Sequence, residues 1–102
     1  MTDLEIFTQE NLALHEELRS KIRSGSSTVE VMRFLIERLR LGPESWFTVF
    51  LHFRVAFDIE VEHAKKLGAW EFFNKGTWSE KAINDEITPT LLQCLTKTRR
   101  QL

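Results

Sequence analysis

The chain has 102 residues, of which 42% are apolar and 28% charged, with 14 Lys and Arg against 15 Asp and Glu for a net charge of -1. That is the composition of one soluble globular domain, not of a disordered or low-complexity chain, and its near-neutral balance argues against a general binder of nucleic acid or anionic membrane. A single cysteine, Cys94, excludes an internal disulfide and a cysteine-built metal scaffold and fits a reducing compartment.

Residues 1–18 carry Asp3, Glu5, Glu10, Glu16 and Glu17 and no Lys or Arg, the opposite of the basic start of a signal peptide. The most apolar stretch, Trp46 to Phe57, is well short of the roughly 20 residues a bilayer requires, and it contains His52 and Arg54. The expectation is one cytoplasmic domain, residues 1–102, with no membrane association.

The pattern is helical nearly throughout. Thr2 and Glu5 have the spacing of a capping box, and Leu4, Phe7, Leu14, Leu18 and Ile22 follow at three-and-four spacing with Asn11 in the slot between. They predict a first helix over about 3–23, with a restart available at Thr8 and a stop at Ser24-Gly25-Ser26. Ser27 and Glu30 form a second capping box. Met32, Leu35, Ile36 and Leu39 share one face of the helix it opens, and Glu30, Arg33, Glu37 and Arg40 share the other. Gly42 suits a left-handed residue after that helix, and Pro43 suits the first position of the next.

The third helix, about 43–57, is apolar nearly all round, with Ser45, Thr48 and His52 aligned as its one polar seam. It is expected at the centre of the fold. Asp58 is expected to cap a short fourth helix over about 59–67, closed by Gly68. The alternation from Asp58 to Glu62 also suits a strand, but no second alternating run exists to pair with it. Thr77 with Glu80 predicts a third capping box and a helix of about ten residues. Thr88-Pro89 then predicts a cap and first-turn proline for a separate last helix, with Leu91, Leu92 and Leu95 inward and Lys97, Arg99 and Arg100 at its negative end.

No catalytic motif emerges. His15, His52 and His63 lie outside any metal-ligand spacing, and the four glycines punctuate helices and do not gather into a phosphate cradle. His52 is expected in a hydrogen-bonded seam with Ser45 and Thr48, and His15 and His63 are expected in solvent. Cys94, between Leu92 and Leu95, reads as a small core residue because nothing nearby lowers a thiol pKa. The expectation is no enzyme activity, no cofactor and no metal.

Charge falls in signed blocks: acidic over 1–18, basic over 19–40 (Arg19, Lys21, Arg23, Arg33, Arg38, Arg40), acidic again with Glu44, Asp58, Glu60 and Glu62. Such blocks are either solvated helix faces or surfaces that steer a protein partner. Alternation of Arg with Glu on the helix after residue 28 disfavours a nucleic-acid recognition helix. Trp70, Phe72, Phe73 and Trp78 cluster around an Asn-Lys-Gly turn, as core closure or as interface anchors.

The run from Phe53 through the acidic Asp58–Glu62 to Trp70, followed by Gly76-Thr77-Trp78-Ser79-Glu80 and on to Ile83-Asn84-Asp85-Glu86-Ile87, resembles small all-helical bacterial immunity proteins of polymorphic and contact-dependent toxin systems. The resemblance spans about a third of the chain. It implies a stoichiometric inhibitor that binds a cognate toxin domain and blocks its active or substrate-binding surface. Where that toxin is a nuclease its face is basic, and Asp58, Glu60, Glu62, Asp85 and Glu86, with Trp70 and Trp78 as anchors, are the implied contacts. The alternative is a small helical regulator or adaptor that binds nucleic acid or protein as a homodimer through the basic 19–40 region. The expected fold is all-α, a single compact domain of five to seven helices packed around the 43–57 helix.

Overall fold

Leu14, Leu18 and Ile22 recur every four residues and form the buried stripe of the first helix, α1 (Gln9–Arg23). The computed structural model describes residues 9–100, with side chains as far as residue 96. The expected Thr2–Glu5 box, Leu4, Phe7, the Thr8 restart and the side chains of Lys97, Arg99 and Arg100 lie outside the described residues. α1 ends as expected at Gly25, whose φ of 104° only glycine adopts readily. Two backbone bonds, Ser26 N–H to Lys21 and Gly25 N–H to Ile22, close its last carbonyls.

α2 (Thr28–Leu39) opens on the predicted capping box, with the Ser27 hydroxyl accepting from the Glu30 N–H and the Glu30 carboxylate from the Ser27 N–H. The other first-turn donors are met from far along the chain. Thr28 N–H donates to the Thr88 hydroxyl at 3.0 Å, and Val29 N–H to the Asn84 side-chain carbonyl at 2.9 Å. The left-handed residue after α2 is Arg40, with φ 55°, and not Gly42. The Leu41 N–H reaches Ile36 and the Arg40 N–H reaches Glu37, so carbonyl closure outweighs the steric cost of about 1–2 kcal/mol at a residue with a Cβ.

α3 (Trp46–Phe57) begins three residues later than expected, after Ser45, and packs against α1, α2 and α5. Val49, His52, Phe53, Ala56 and Phe57 are buried, but Trp46 and Phe47 at its start are 39% and 53% exposed. The helix is therefore not enclosed all round. Asp58 does not cap the next helix. It is the left-handed residue that ends α3, with φ 52° and its N–H on the Arg54 carbonyl. Arg54 also donates to the Ile59 carbonyl at 2.5 Å, which pins the reversal. The expected helix over 59–67 is a five-residue α4 (Val61–Lys65) running into a 3₁₀ turn (Lys66–Ala69), with Ile59 buried ahead of it.

The loop that follows is knit by Thr77 and Trp78 N–H groups on the Ala69 carbonyl and by Glu71 N–H on that of Trp78. An isolated Trp70–Trp78 bridge is the one extended pairing among the described residues. The cap of α5 (Glu80–Arg100) is Ser79, not Thr77: its hydroxyl accepts from the Ala82 N–H, while Glu80 pairs with Arg33. The two helices expected at the C-terminus are one, continuous through Pro89. Thr88 does not cap locally, since its hydroxyl is engaged by Thr28, and the Asp85 carbonyl that Pro89 leaves without a donor belongs to an exposed residue. The result is a single all-α domain with five α-helices among the described residues and a radius of gyration of 12.7 Å, the value of about 13 Å expected for a folded chain of this length. Its core joins the α1 stripe to Val31, Met32, Leu35, Phe53, Phe57, Ile83, Ile87 and Leu91.

Candidate functional site

The most polar feature of the interior joins α1 to α3. His15 Nε2 lies 2.8 Å from His52 Nδ1, the rings meet edge to face, and the two residues are 1% and 0% exposed. His15 was expected in solvent. It sits three residues before Leu18 and seven before Ile22, so it shares their buried stripe. The expected seam of His52 with Ser45 and Thr48 is not formed: the Ser45 hydroxyl accepts from the Gly42 N–H instead. Burial, His52 and the nearby Arg19 guanidinium hold His15 down at about 4, and burial lowers His52. Both rings are therefore neutral at pH 7, and one nitrogen donates to the other. The outer nitrogens, His15 Nδ1 and His52 Nε2, are buried with no hydrogen-bond partner among the described residues. No carboxylate or thiol completes a catalytic or metal-binding set here, and no group of three or more His, Cys, Asp or Glu among the described residues is placed to hold a metal ion.

The first acidic block and the basic block of the sequence meet within the fold. Glu16 accepts from Arg19 and Arg23, Glu17 lies 3.5 Å from Arg38, and Arg33 pairs with Glu80. The Arg19 hydrogen bond holds the Glu16 carboxyl below its ordinary range. Lys21 and Arg38 lie over the Phe34 ring. Much of the basic 19–40 region is thus engaged within the fold, through ion pairs of Arg19, Arg23, Arg33 and Arg38 and through Lys21 over the Phe34 ring.

The implied partner residues divide into three sets. Trp70 is 2% exposed, with Arg33 over its ring and Phe72 and Phe73 against it, so it closes the core and is out of a partner's reach. Trp78, Asp85 and Glu86 come together along a shallow depression at the start of α5. Its two acids are already occupied, Asp85 by Lys81 at 2.5 Å and Glu86 by Lys66 at 2.6 Å, and the Lys66 contact lowers the Glu86 pKa. Asp58, Glu60 and Glu62 are all exposed and make no ion pair with a described residue. Between them Val61 is 39% exposed, an apolar point inside an acidic rim.

Sequence reasoning missed the exposed pair Trp46 and Phe47, whose rings pack with Phe50 at the end of the molecule where α3 begins. No sequence signal marks their exposure, since an apolar pair in the first turn of a helix also suits a covered end. No helix among the described residues is long and apolar enough to cross a membrane. No protein-family model, curated protein or solved structure matches the chain.

Proposed function

We propose that this chain is a non-enzymatic inhibitor, an immunity protein that binds and neutralises a cognate bacterial toxin by covering its active or substrate-binding surface. One observation carries the reading. Glu16, Glu17, Glu80, Asp85 and Glu86 are spent on internal ion pairs, whereas Asp58, Glu60 and Glu62 stand exposed on either side of Val61 in the chain with no ion pair to a described residue. Three carboxylates on one reversal of the chain make a local negative field, which steers a basic partner and fixes its register. The reversal is stiff, held by the left-handed Asp58 and the Arg54 bond to Ile59, so little conformational freedom is lost on docking. A nuclease toxin, with a basic substrate face, is the partner this surface suits best.

Glu86 is tied by its ion pair to Lys66, which follows α4 directly, and Asp85 beside it pairs with Lys81. Exposed ion pairs of this kind are worth about 0–1 kcal/mol, so a basic partner exchanges them at small cost. The neutral histidine pair, 1% and 0% exposed and turned to each other, lines neither cleft described in this structure. Co-expression with the toxin domain encoded beside it should restore growth to cells the toxin otherwise arrests. The absence of a toxin gene in that neighbourhood, together with no rescue, would remove the proposal.

A further inference from the structure

A second surface, independent of the toxin-binding reading, lies where the turn between α2 and α3 meets the loop after the 3₁₀ turn. A cleft of about 420 Å³ opens there, floored by Phe73 and Gly68, walled by Trp46 and edged by Lys65, Asn74 and Lys75. Small-molecule sites typically measure about 300–1,000 Å³.

The cleft is held in shape by its backbone. Asn74 N–H donates to the Pro43 carbonyl at 3.1 Å and ties the two walls together. Gly76 N–H donates to Phe73 at 2.9 Å, and Gly76 packs so tightly that a Cβ there would fall 1.8 Å from the Trp70 carbonyl oxygen. Trp46 is held too. Its indole lies over Gly68, where an added Cβ would come within 3.1 Å of Cε3, and Phe47 and Phe50 meet it edge-on at 5.7 and 5.9 Å. A ring fixed on these sides yet 39% open to solvent is a ready stacking platform, because it surrenders almost no rotamer freedom on binding.

The charge beside the ring is positive and unspent. Lys65 and Lys75 make no ion pair with a described residue. The one acid of the lining, Glu44, folds its carboxylate back over Gly42, with Oε2 2.6 Å from where a Cβ on that glycine would stand. We propose that this cleft binds a small aromatic anion, its planar ring stacked on Trp46 and its phosphate or carboxylate held by Lys65 and Lys75, with the Asn74 amide as a further donor.

The test is a titration of the whole chain followed by amide NMR at Gly68 and Asn74 and by the Trp46 indole signal. The probes are AMP and indole-3-acetate, with adenosine and inorganic phosphate as halves of the first. At least one intact aromatic anion should saturate, and for AMP each half should bind about tenfold more weakly or worse, a difference of about 1.4 kcal/mol. Trp46→Ala should abolish the shifts and Trp46→Phe should retain part of them, which separates stacking from folding. The double change Lys65→Glu with Lys75→Glu should weaken binding about tenfold or more, since it reverses both charges, while Lys81→Glu outside the cleft should leave it unchanged. Failure of both anions to saturate by about 10 mM would overturn the proposal. So would adenosine binding as well as AMP, or undiminished binding by a folded Trp46→Ala variant.

Discussion

His15 and His52 share a 2.8 Å hydrogen bond inside the fold, a wholly buried polar tie between α1 and α3. Arg19 adds a second link one turn on, donating to the Ala56 carbonyl at 2.8 Å. Each contact joins positions 37 apart in the chain, so the two helices run side by side in register.

Acid should destabilise the protein through this pair. The unfolded chain protonates His15 near its ordinary 6.5, whereas the folded chain resists until about 4. The unfolded state therefore binds more protons between those values, and stability present above pH 6.5 is lost as pH falls toward 4. The loss from His15 alone is about 3 kcal/mol, with a further loss of the same sign from His52. Urea unfolding at pH 7.5, 6, 5 and 4 checks it, and a midpoint that holds steady from 7.5 to 5 contradicts it.

Removing one histidine should cost more than removing both. His52→Phe leaves His15 Nε2 buried without a partner, which costs about 1–3 kcal/mol beyond any packing change. His15→Leu with His52→Leu removes every buried imidazole nitrogen of the pair, so it should recover most of that loss and abolish the acid sensitivity. A cycle of His15→Leu, His52→Leu and the double variant, at pH 7 and pH 5, measures the coupling directly.

Two substitutions on α5 should move stability in opposite directions. Asn84→Ala removes the acceptor of the Val29 N–H at the start of α2 and should cost about 1–2 kcal/mol. Pro89→Ala restores the missing backbone donor to the Asp85 carbonyl in an exposed stretch of helix and should add about 1–3 kcal/mol. Thermal unfolding of both variants reads the two signs.

Charge reversal of the acidic reversal should separate binding from folding. Asp58, Glu60 and Glu62 are exposed and make no ion pair with a described residue, so changing Glu60 and Glu62 to Lys should alter stability by less than about 0.5 kcal/mol. The same variant should lose toxin protection in cells. Asp58 is better left in place, because its left-handed φ of 52° is tolerated by Asp more readily than by Lys.

The fold class was legible in the sequence because it is written in local spacing. The Ser27–Glu30 box and the Gly25 stop each depend on residues within one turn, and both form as expected. The errors fall where a distant residue decides. Thr88 has the local form of a cap, but Thr28, 60 positions away, takes its hydroxyl and the helix runs on through Pro89. Asp58 resembles a cap for the same reason, yet the backbone needs it to end α3. The acids could be read as a block, but which of them find an internal base could not: Glu86 and Lys66 are brought together only by the packing of α5 on the 3₁₀ turn. Trp46 was hidden because an apolar residue at a helix end looks the same in sequence whether the end is covered or bare.

Calorimetric titration of this chain into the cognate toxin domain proposed as its partner, at low and at physiological salt, puts the central claim to its most direct trial. One-to-one binding that weakens with salt, and weakens again when Glu60 and Glu62 become Lys, is the expected result. Absence of heat at either salt, or tight binding indifferent to both changes, would contradict it.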